Sequence, residues 1–350
     1  MSFEDKIRKV VPYTPGEQTK DTSIIKINTN ECPYPPAPGV EKALRELDID
    51  RLRLYPEPAC DTLINALAEY YGLEKNQIFV GVGSDDVLSM AFLTFFNSDK
   101  KILFPDITYS FYDVWADVYR IPYEQIPLDD NFHIVKEDYY KDNGGVIFPN
   151  PNAPTGVYEG LDMIEDVIKH NQDSVVIIDE AYIDFGGKSA LELINKYDNL
   201  LVIQTYSKSR ALAGLRVGMA FGNAKLIKYM SDVKFSVNSY TMNTPSLVAG
   251  AAAIKDEAYF KETVQKIINT REWMKKELKE LGFEFQDSMS NFVFATHPKY
   301  KATELQQYLR DNKILVRHFN AKRIDNYLRI SVGTDDQAKK LIETLRNYIK

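Results

Sequence analysis

A lysine that follows an apolar strand gives the first indication of chemistry in this chain. The run 200–203 (LLVI) has the composition of a buried β-strand, and Lys208 comes shortly after it. Burial at such a position lowers the pKa of an ammonium group, because the charged form is poorly solvated there. A lysine made less basic in this way is a nucleophilic amine, suited to a Schiff base with a carbonyl compound. The alternative is a solvated lysine in a surface turn.

Two neighbours of Lys208 carry groups that bind phosphate. Ser207 offers a hydroxyl donor, and Arg216 offers a planar cationic group with fixed donor geometry. The segment by itself fits a surface turn equally well. The rest of the chain must therefore decide between the two interpretations.

A glycine turn between a strand and a helix indicates a second anion site. The strand 78–80 leads through this turn into an apolar helix predicted over 87–96. The free N–H groups and the dipole of such a helix start attract anions. The residues at the junction are Gly83, Ser84 and Asp85. The full GxGxxG fingerprint is absent, so a dinucleotide is not indicated. Alone, the pattern favours a simple tight turn; together with the phosphate-binding groups near Lys208, it favours a cofactor phosphate.

The elements that must position these groups alternate along the chain. Strands are predicted over 101–104, 146–148, 175–178, 200–204 and 217–221, and helices near 110–119, 161–170 and 224–232. This alternation predicts an α/β fold with a mostly parallel sheet covered by helices. Ligands of such sheets bind at the carboxyl ends of the strands.

Residues with suitable chemistry follow those strand ends. Tyr109 could stack on a planar cofactor, and Asp179 could keep a pyridine nitrogen protonated. Tyr182, three positions after Asp179, could donate to a phenolic oxygen of the same cofactor. Each residue alone has an ordinary structural explanation in core packing or helix capping. Complementary chemistry at five strand ends favours a shared cofactor site.

The ends of the chain differ from this central part. Proline-rich segments within 1–38 predict an extended arm that packs on the site and on a small domain. A large domain is predicted over 39–245 and a small α+β domain over 246–350. Arg329 lies within an apolar strand pattern of the small domain. A buried guanidinium needs an anion, either a substrate carboxylate or an internal partner.

Composition excludes several functional classes. The net charge of −7 argues against nucleic acid or an acidic membrane surface as the main partner. No apolar run approaches the ~18 residues of a membrane span, and the first residues lack the apolar core of a signal peptide. The expected location is therefore the cytoplasm. The chain has two cysteines, Cys32 and Cys60, without metal-ligand spacing, so neither a disulfide framework nor a metal site is expected.

The lysine segment and the segment around Asp179 together resemble a known family. D-E-A-Y at 179–182, S-K at 207–208 and G-x-R ending at Arg216 are similar to the aspartate aminotransferase branch of the fold-type I enzymes. These enzymes use pyridoxal 5′-phosphate (PLP), and the resemblance covers roughly residues 28–345. It implies that Lys208 carries the cofactor, that Asp179 pairs with its ring nitrogen and that Tyr182 contacts its phenolic oxygen.

The same resemblance extends to further positions. The family motif P-N-N-P-T-G appears at 151–156 with Ala153 as its third residue, which leaves Asn152 as the candidate for the cofactor oxygen. L-R-I-S-x-G at 328–333 implies that Arg329 binds the substrate α-carboxylate. The implied cofactor-binding residues are Gly83, Ser84, Asp85, Tyr109, Asn152, Asp179, Tyr182, Ser207, Lys208 and Arg216, with Tyr55 acting across the interface of a homodimer.

Four segments narrow the resemblance to the histidinol-phosphate aminotransferases. They are residues 12–16, 28–35, 53–56 and 83–85, although the usual N-E-N-P is Asn30-Glu31-Cys32-Pro33 here. The implied reaction is the transamination of histidinol phosphate with 2-oxoglutarate, which gives imidazole acetol phosphate and glutamate, in histidine biosynthesis. The implied substrate-binding residues are Tyr13, Asn30, Arg317 and Arg329.

Three other functions remain open at this point. One is an aromatic amino acid aminotransferase, because imidazole and phenyl groups need similar pockets. The second is a PLP-dependent decarboxylase of a phosphorylated amino acid. The third is a PLP-fold binding protein without turnover, against which the retained lysine and the complete anion sites argue.

Overall fold

The structure is a computed structural model that describes residues 2–349. Its strands are β1 (Ile25–Lys26), β2 (Ile78–Val82), β3 (Ile102–Pro105), β4 (Tyr123–Ile126), β5 (Gly145–Pro149), β6 (Val176–Asp179), β7 (Leu200–Thr205), β8 (Val217–Gly222), β9 (Glu284–Phe285), β10 (Phe292–Thr296), β11 (Ile314–Leu315), β12 (Arg317–His318) and β13 (Tyr327–Ser331). Its helices are α1 (Pro38–Arg45), α2 (Asp61–Tyr71), α3 (Gly83–Phe95), α4 (Tyr112–Tyr119), α5 (Leu161–His170), α6 (Ala224–Val237), α7 (Thr244–Lys255), α8 (Glu257–Glu280), α9 (Ala302–Asp311) and α10 (Asp335–Tyr348).

Seven of these strands form one sheet in the order β2-β8-β7-β6-β5-β3-β4. The strands from β3 to β7 run parallel, whereas β8 lies antiparallel between β7 and β2. Six strands therefore end at one edge of the sheet, and β8 begins there. The predicted mostly parallel sheet is confirmed. Strand β4 was not predicted, because this edge strand is only partly buried and has no continuous apolar run.

Helices cover both faces of the sheet because its central strands are apolar on both sides. In β6, Val176 and Ile178 face a core with α1, α2, α5 and α7, while Ile177 faces a core with α3, α4 and α6. All residues of β5, β6 and β7 are buried. Within residues 2–349, no helix combines the length and the apolar character that a membrane crossing needs.

Helix α7 spans the position at which the sequence predicted the boundary between the two domains. A division at 245/246 would cut α7, whose Leu247 and Ile254 belong to the same core as α1 and α2. The small, alanine-rich residues of α7 gave no periodic signal that would have assigned it to the large domain. A separate core forms around β10, β13, α8, α9 and α10. We therefore propose that the domains divide between α7 and α8.

The N-terminal arm contacts both domains. After a single 3₁₀ turn at Phe3–Lys6, the chain has no regular structure until β1, which pairs in parallel with β11 of the small domain. Glu17 binds Arg310 of the small domain through two contacts of 2.7 Å. Tyr13 stacks on Phe111 of the large domain with ring centres 4.2 Å apart. These contacts place Tyr13 beside the edge at which the parallel strands end.

Candidate active site

The turn after β2, the turn after β7 and the start of β8 meet at this edge. Helix α3 begins directly at Gly83, so the N–H groups of its first turn have no helical acceptor. Arg216, immediately before β8, donates to Asp85 Oδ2 at 3.0 Å. Ser84 and Ser207 line the same cavity as Arg216. The structure therefore brings together hydroxyl, amide and guanidinium donors, which suit a phosphate.

Two glycines allow the elements around this cavity to approach one another. Gly83 has a φ of +80°, and a Cβ atom on it would lie 2.5 Å from Arg216 Nη2. A Cβ atom on Gly218 would lie 2.3 Å from the carbonyl carbon of Gly83. Side chains at either position would push the helix start away from the arginine.

Asp179 lies at the carboxyl end of β6 and is almost completely buried. Its Oδ2 accepts a hydrogen bond from the Tyr112 phenol at 2.9 Å, and its Oδ1 accepts one from the Ala181 N–H at 3.2 Å. Burial raises the pKa of Asp179 to about 6, although these two hydrogen bonds oppose the shift. Because a carboxylate offers roughly four acceptor positions, Asp179 can still accept a bond from a ligand.

Tyr109 connects the phosphate-type end of the cavity with its aromatic wall. Its phenol donates to Asp85 Oδ1 at 2.7 Å, while Arg216 holds Oδ2 of the same carboxylate. Burial, together with the adjacent Asp85, raises the pKa of Tyr109 well above its usual value, so the phenol remains a donor. Asp85 thus fixes the tyrosine ring and the arginine relative to each other.

Two adjoining cavities open at this edge of the sheet. The first, of about 250 Å³, is lined by the predicted residues Ser84, Asp85, Tyr109, Asp179, Tyr182, Ser207, Lys208 and Arg216. The second, of about 180 Å³, is lined by the predicted residues Tyr13, Asn30, Arg317 and Arg329. Tyr109, Tyr182 and Lys208 line both cavities. A group bound in the first cavity would therefore meet a group bound in the second at Lys208.

Lys208 is half-buried and has no carboxylate partner among residues 2–349. Its Nζ lies 3.5 Å from the carbonyl oxygen of Thr29 and 5.8 Å from the centre of the Tyr182 ring. The Tyr182 hydroxyl oxygen accepts a bond of 2.9 Å from Asn30 Nδ2. The phenolic proton of Tyr182 is then available to a ligand in the cavity.

Arg317 and Arg329 lie directly opposite each other on β12 and β13. Arg329 donates to the Asn28 carbonyl oxygen at 3.2 Å, but its Nε is buried and has no hydrogen-bond partner in the described part of the chain. Burial lowers the pKa of Arg329, which shows how poorly its charge is solvated. No aspartate or glutamate lines this cavity within the described chain. The pair therefore lacks the internal counter-charge that the sequence left as an alternative, which favours an external anion.

Three predicted residues line neither cavity of this chain: Asn152, Tyr55 and Gly83, the last of which lies against Arg216. Asn152 donates to the Ile107 carbonyl oxygen at 3.0 Å and to Thr155 Oγ1 at 2.9 Å, and it lines neither cavity. The Asn152 amide thus stabilises its own loop, and its contact with a cofactor oxygen stays a prediction. Tyr55 is 81% exposed and stacks on Tyr240, outside both cavities.

Two residues at the site were missed by the sequence reasoning. Thr29 lines both cavities and contacts Lys208 through its carbonyl oxygen, a group that carries no signal in the sequence. Tyr112 contacts Asp179. Tyr112 follows Tyr109 by three positions near a predicted helix start, and this spacing indicates that the two side chains lie close together. The spacing alone did not show which of the two rings would face the ligand.

Comparisons with known proteins agree with this arrangement. The family model "Aminotransferase class I and II" matches residues 22–345. A histidinol-phosphate aminotransferase of Lactococcus lactis subsp. cremoris (strain MG1363) is 51% identical over 350 residues, which cover 100% of this chain and 98% of the relative. The chain belongs to the class I and II aminotransferases, in their histidinol-phosphate aminotransferase branch. The prediction of an aminotransferase with PLP as its cofactor is thereby confirmed.

Solved structures show the fold independently. The histidinol-phosphate aminotransferase from Clostridium acetobutylicum superposes with a TM-score of 0.86 at 24% identity, covering 93% of this chain and 99% of that chain. The enzyme from Sinorhizobium meliloti in complex with pyridoxal 5′-phosphate gives 0.84 at 22% identity, covering 93% and 91%. The fold-type I prediction is therefore confirmed.

The burial of Asp179 predicts a pH-dependent stability in the cofactor-free aminotransferase. Its pKa is about 6 in the folded chain against 3.8 for an unperturbed aspartate, so between these values the folded state holds the proton more tightly. Rising pH should then destabilise the wild type relative to Asp179→Asn by up to about 3 kcal/mol between roughly pH 4 and 6. Urea unfolding of both apoproteins across this range measures the difference.

The second buried carboxyl group next to Asp179, that of Glu180, does not affect this comparison. Burial raises its pKa to about 7, but it is present in both proteins, so its contribution cancels in the difference. A difference in unfolding free energy that does not change with pH would contradict the assigned burial effect at Asp179.

Proposed function

We propose that this aminotransferase moves an amino group between L-histidinol phosphate and the 2-oxoglutarate/glutamate pair. The observation that carries the proposal is the second cavity, which is lined by Lys208, Arg317 and Arg329 and, among residues 2–349, by no acidic residue. Such a lining favours substrates with anionic groups. The names of the relatives support histidinol phosphate as the substrate. On this basis we also infer a role in histidine biosynthesis and a location in the cytoplasm.

The first cavity would hold PLP. Ser207, Arg216 and the amides at the start of α3 would bind its phosphate, and Asp179 would pair with its ring nitrogen. Tyr109 would provide the stacking face, and Tyr182 would donate to the phenolic oxygen. Gly83 fits a phosphate site at this position. Without a Cβ atom, it leaves the start of α3 and Arg216 open to the phosphate. When bound, the cofactor supplies an electron sink for the carbanion formed at the substrate Cα.

Lys208 would perform the proton transfers. Its position at the junction of the two cavities lets its amine reach a substrate in one and a cofactor in the other. As a general base the amine would take the proton from the substrate Cα, and as a general acid it would return a proton. The Thr29 carbonyl oxygen, 3.5 Å from Nζ, would orient the amine between these steps.

The two arginines would share the recognition of both substrates. Histidinol phosphate has a distal phosphate and no carboxylate, whereas 2-oxoglutarate has two carboxylates. Because Arg317 and Arg329 are opposite each other, one cavity can accept either the phosphate of histidinol phosphate or the two carboxylates of 2-oxoglutarate. Arg317 and Tyr13 would bind the phosphate, and Arg329 the α-carboxylate. Asn30, which donates to Tyr182, would orient that phenol beside the substrate.

Arg317→Ala should reduce kcat/KM for histidinol phosphate by the equivalent of roughly 2–4 kcal/mol, because the phosphate loses a charged partner. The reduction should be much smaller for phenylalanine, which has no distal anion. Steady-state kinetics with both amino donors measure this split. Arg45→Ala, which removes an exposed arginine on α1, should change neither value.

Equal losses for histidinol phosphate and phenylalanine would show that Arg317 supports the fold or the cofactor site instead. A greater turnover of phenylalanine than of histidinol phosphate by the wild type would favour the aromatic aminotransferase alternative.

We also propose that the active form is a homodimer to which Tyr55 contributes across the interface. The segment 49–55 and the end of α6 present an apolar surface, with Ile49, Leu52, Leu54, Tyr55, Phe235, Val237 and Tyr240 all at least 46% exposed. Tyr55 and Tyr240 stack with ring centres 4.7 Å apart, which joins the two parts of this surface. An exposed patch of this kind is typical of a protein interface. A second copy that covers it would bring Tyr55 near the partner's cofactor phosphate.

Mixing Tyr55→Phe with Lys208→Ala subunits tests this arrangement. If Tyr55 acts in the partner's site, each mixed dimer has one complete site and one doubly altered site. Random pairing at equal amounts should then give roughly a quarter of wild-type activity, above the sum of the separate variants. Native mass spectrometry controls for subunit exchange. With exchange demonstrated, activity no higher than that sum would mean that Tyr55 does not act across the interface.

A further inference from the structure

Tyr112 is a buried tyrosine that touches the aspartate at the centre of the site without lining either cavity. It is the first residue of α4, is completely buried, and donates from its hydroxyl to Asp179 Oδ2 at 2.9 Å. Within the described chain, the Asp179 carboxylate accepts one hydrogen bond from a side chain, that of Tyr112, and one from a backbone N–H, that of Ala181.

The ring of Tyr112 is held in place by aromatic neighbours. It packs edge-to-face with the rings of Tyr109 and Phe104, with ring centres 5.8 Å and 5.9 Å apart, and its centre lies 6.1 Å from that of Phe92. These contacts restrict the ring so that its hydroxyl cannot easily leave Asp179. They also mean that one residue supports both Tyr109 and Asp179, which face the cavity from different elements.

We propose that Tyr112 is a positioning residue that fixes the Asp179 carboxylate and favours its ionised form for pairing with the cofactor ring nitrogen. A bond to Oδ2 orients the carboxylate and stabilises its negative charge. This inference rests on the proposed role of Asp179 in binding the cofactor. It goes beyond that role because it assigns the control of the carboxylate to a residue that does not touch the ligand.

Among the charged and titratable groups around Asp179, Tyr112 contributes most to stabilising the ionised carboxylate. Asp85 opposes ionisation of Asp179 by its negative charge, and Lys208 favours it more weakly than the Tyr112 hydrogen bond does. Burial and the adjacent Asp179 raise the pKa of Tyr112 well above that of a free tyrosine. The phenol therefore keeps its proton and acts as a donor over the whole working range of pH.

Tyr112→Phe tests the proposal because it retains the ring and removes only the hydroxyl. In the apoprotein, carbon-13 NMR of labelled aspartate carboxyl groups should show Asp179 titrating at a higher pH than in the wild type. Asp179→Asn identifies the resonance. Fluorescence titration with PLP should give a dissociation constant roughly 10- to 100-fold larger, as expected for the loss of a hydrogen bond to a charged group.

Tyr139→Phe is the matched control. Tyr139 is also completely buried in the large domain, but its hydroxyl has no hydrogen-bond partner among the described residues. Its removal should leave both the Asp179 titration and the PLP dissociation constant unchanged. The control separates the loss of the Tyr112 hydrogen bond from the general effect of removing a buried hydroxyl.

An Asp179 titration and a PLP dissociation constant within twofold of wild type in Tyr112→Phe would overturn the proposal. If this variant does not fold, the wild type labelled at the tyrosine ζ-carbon provides the test. The Tyr112 resonance should then shift as Asp179 titrates, and a constant shift would overturn the proposal. Neither readout involves a substrate, and loss of PLP affinity in Asp179→Asn tests the role of Asp179 separately.

Discussion

The burial of a single carboxylate, that of Asp179, sets the requirements for the rest of the site. An ionised carboxylate removed from water is stable only with hydrogen-bond donors or a cation nearby, and the chain supplies Tyr112 and the Ala181 amide. Burial still leaves the pKa of Asp179 at about 6. A cationic ring nitrogen would provide the missing counter-charge. One ion pair would therefore meet both requirements: Asp179 gains a counter-charge, and the ring nitrogen of the cofactor stays protonated.

The sheet topology brings the other groups to the same edge. Because β8 runs antiparallel, Arg216 precedes a strand and still lies beside the residues that follow β2, β6 and β7. The small domain and the arm then close the second cavity with Arg329 and Tyr13. Tyr182 packs on Phe292 of the small domain with ring centres 5.1 Å apart, so it contacts both halves of the site. The large domain thus supplies the proposed cofactor contacts, including Arg216, and the small domain supplies Arg317 and Arg329 of the second cavity.

The sequence predicted most of this framework because the information is local. The apolar runs of the central strands, the glycine turn before α3 and the residues after each strand depend on a few neighbouring positions. What it could not provide depends on tertiary contacts. The hydrogen bonds of Asn152 turn it away from both cavities, and the spacing of Tyr112 did not distinguish a buried donor from a core ring. The predicted boundary at 245/246 falls within α7, which packs against helices from the first third of the chain.

Lys208 is proposed to be the amine that binds the cofactor and transfers the proton. Borohydride reduction of the holoenzyme fixes PLP to the amine that carries it, and peptide mapping by mass spectrometry identifies that residue. If Lys208 is that amine, the wild type should give one labelled peptide, the one that contains Lys208, and Lys208→Ala should give none. A label on another lysine in the wild type, for example on Lys26 beside Thr29 and Glu31, would show that Lys208 does not carry the cofactor.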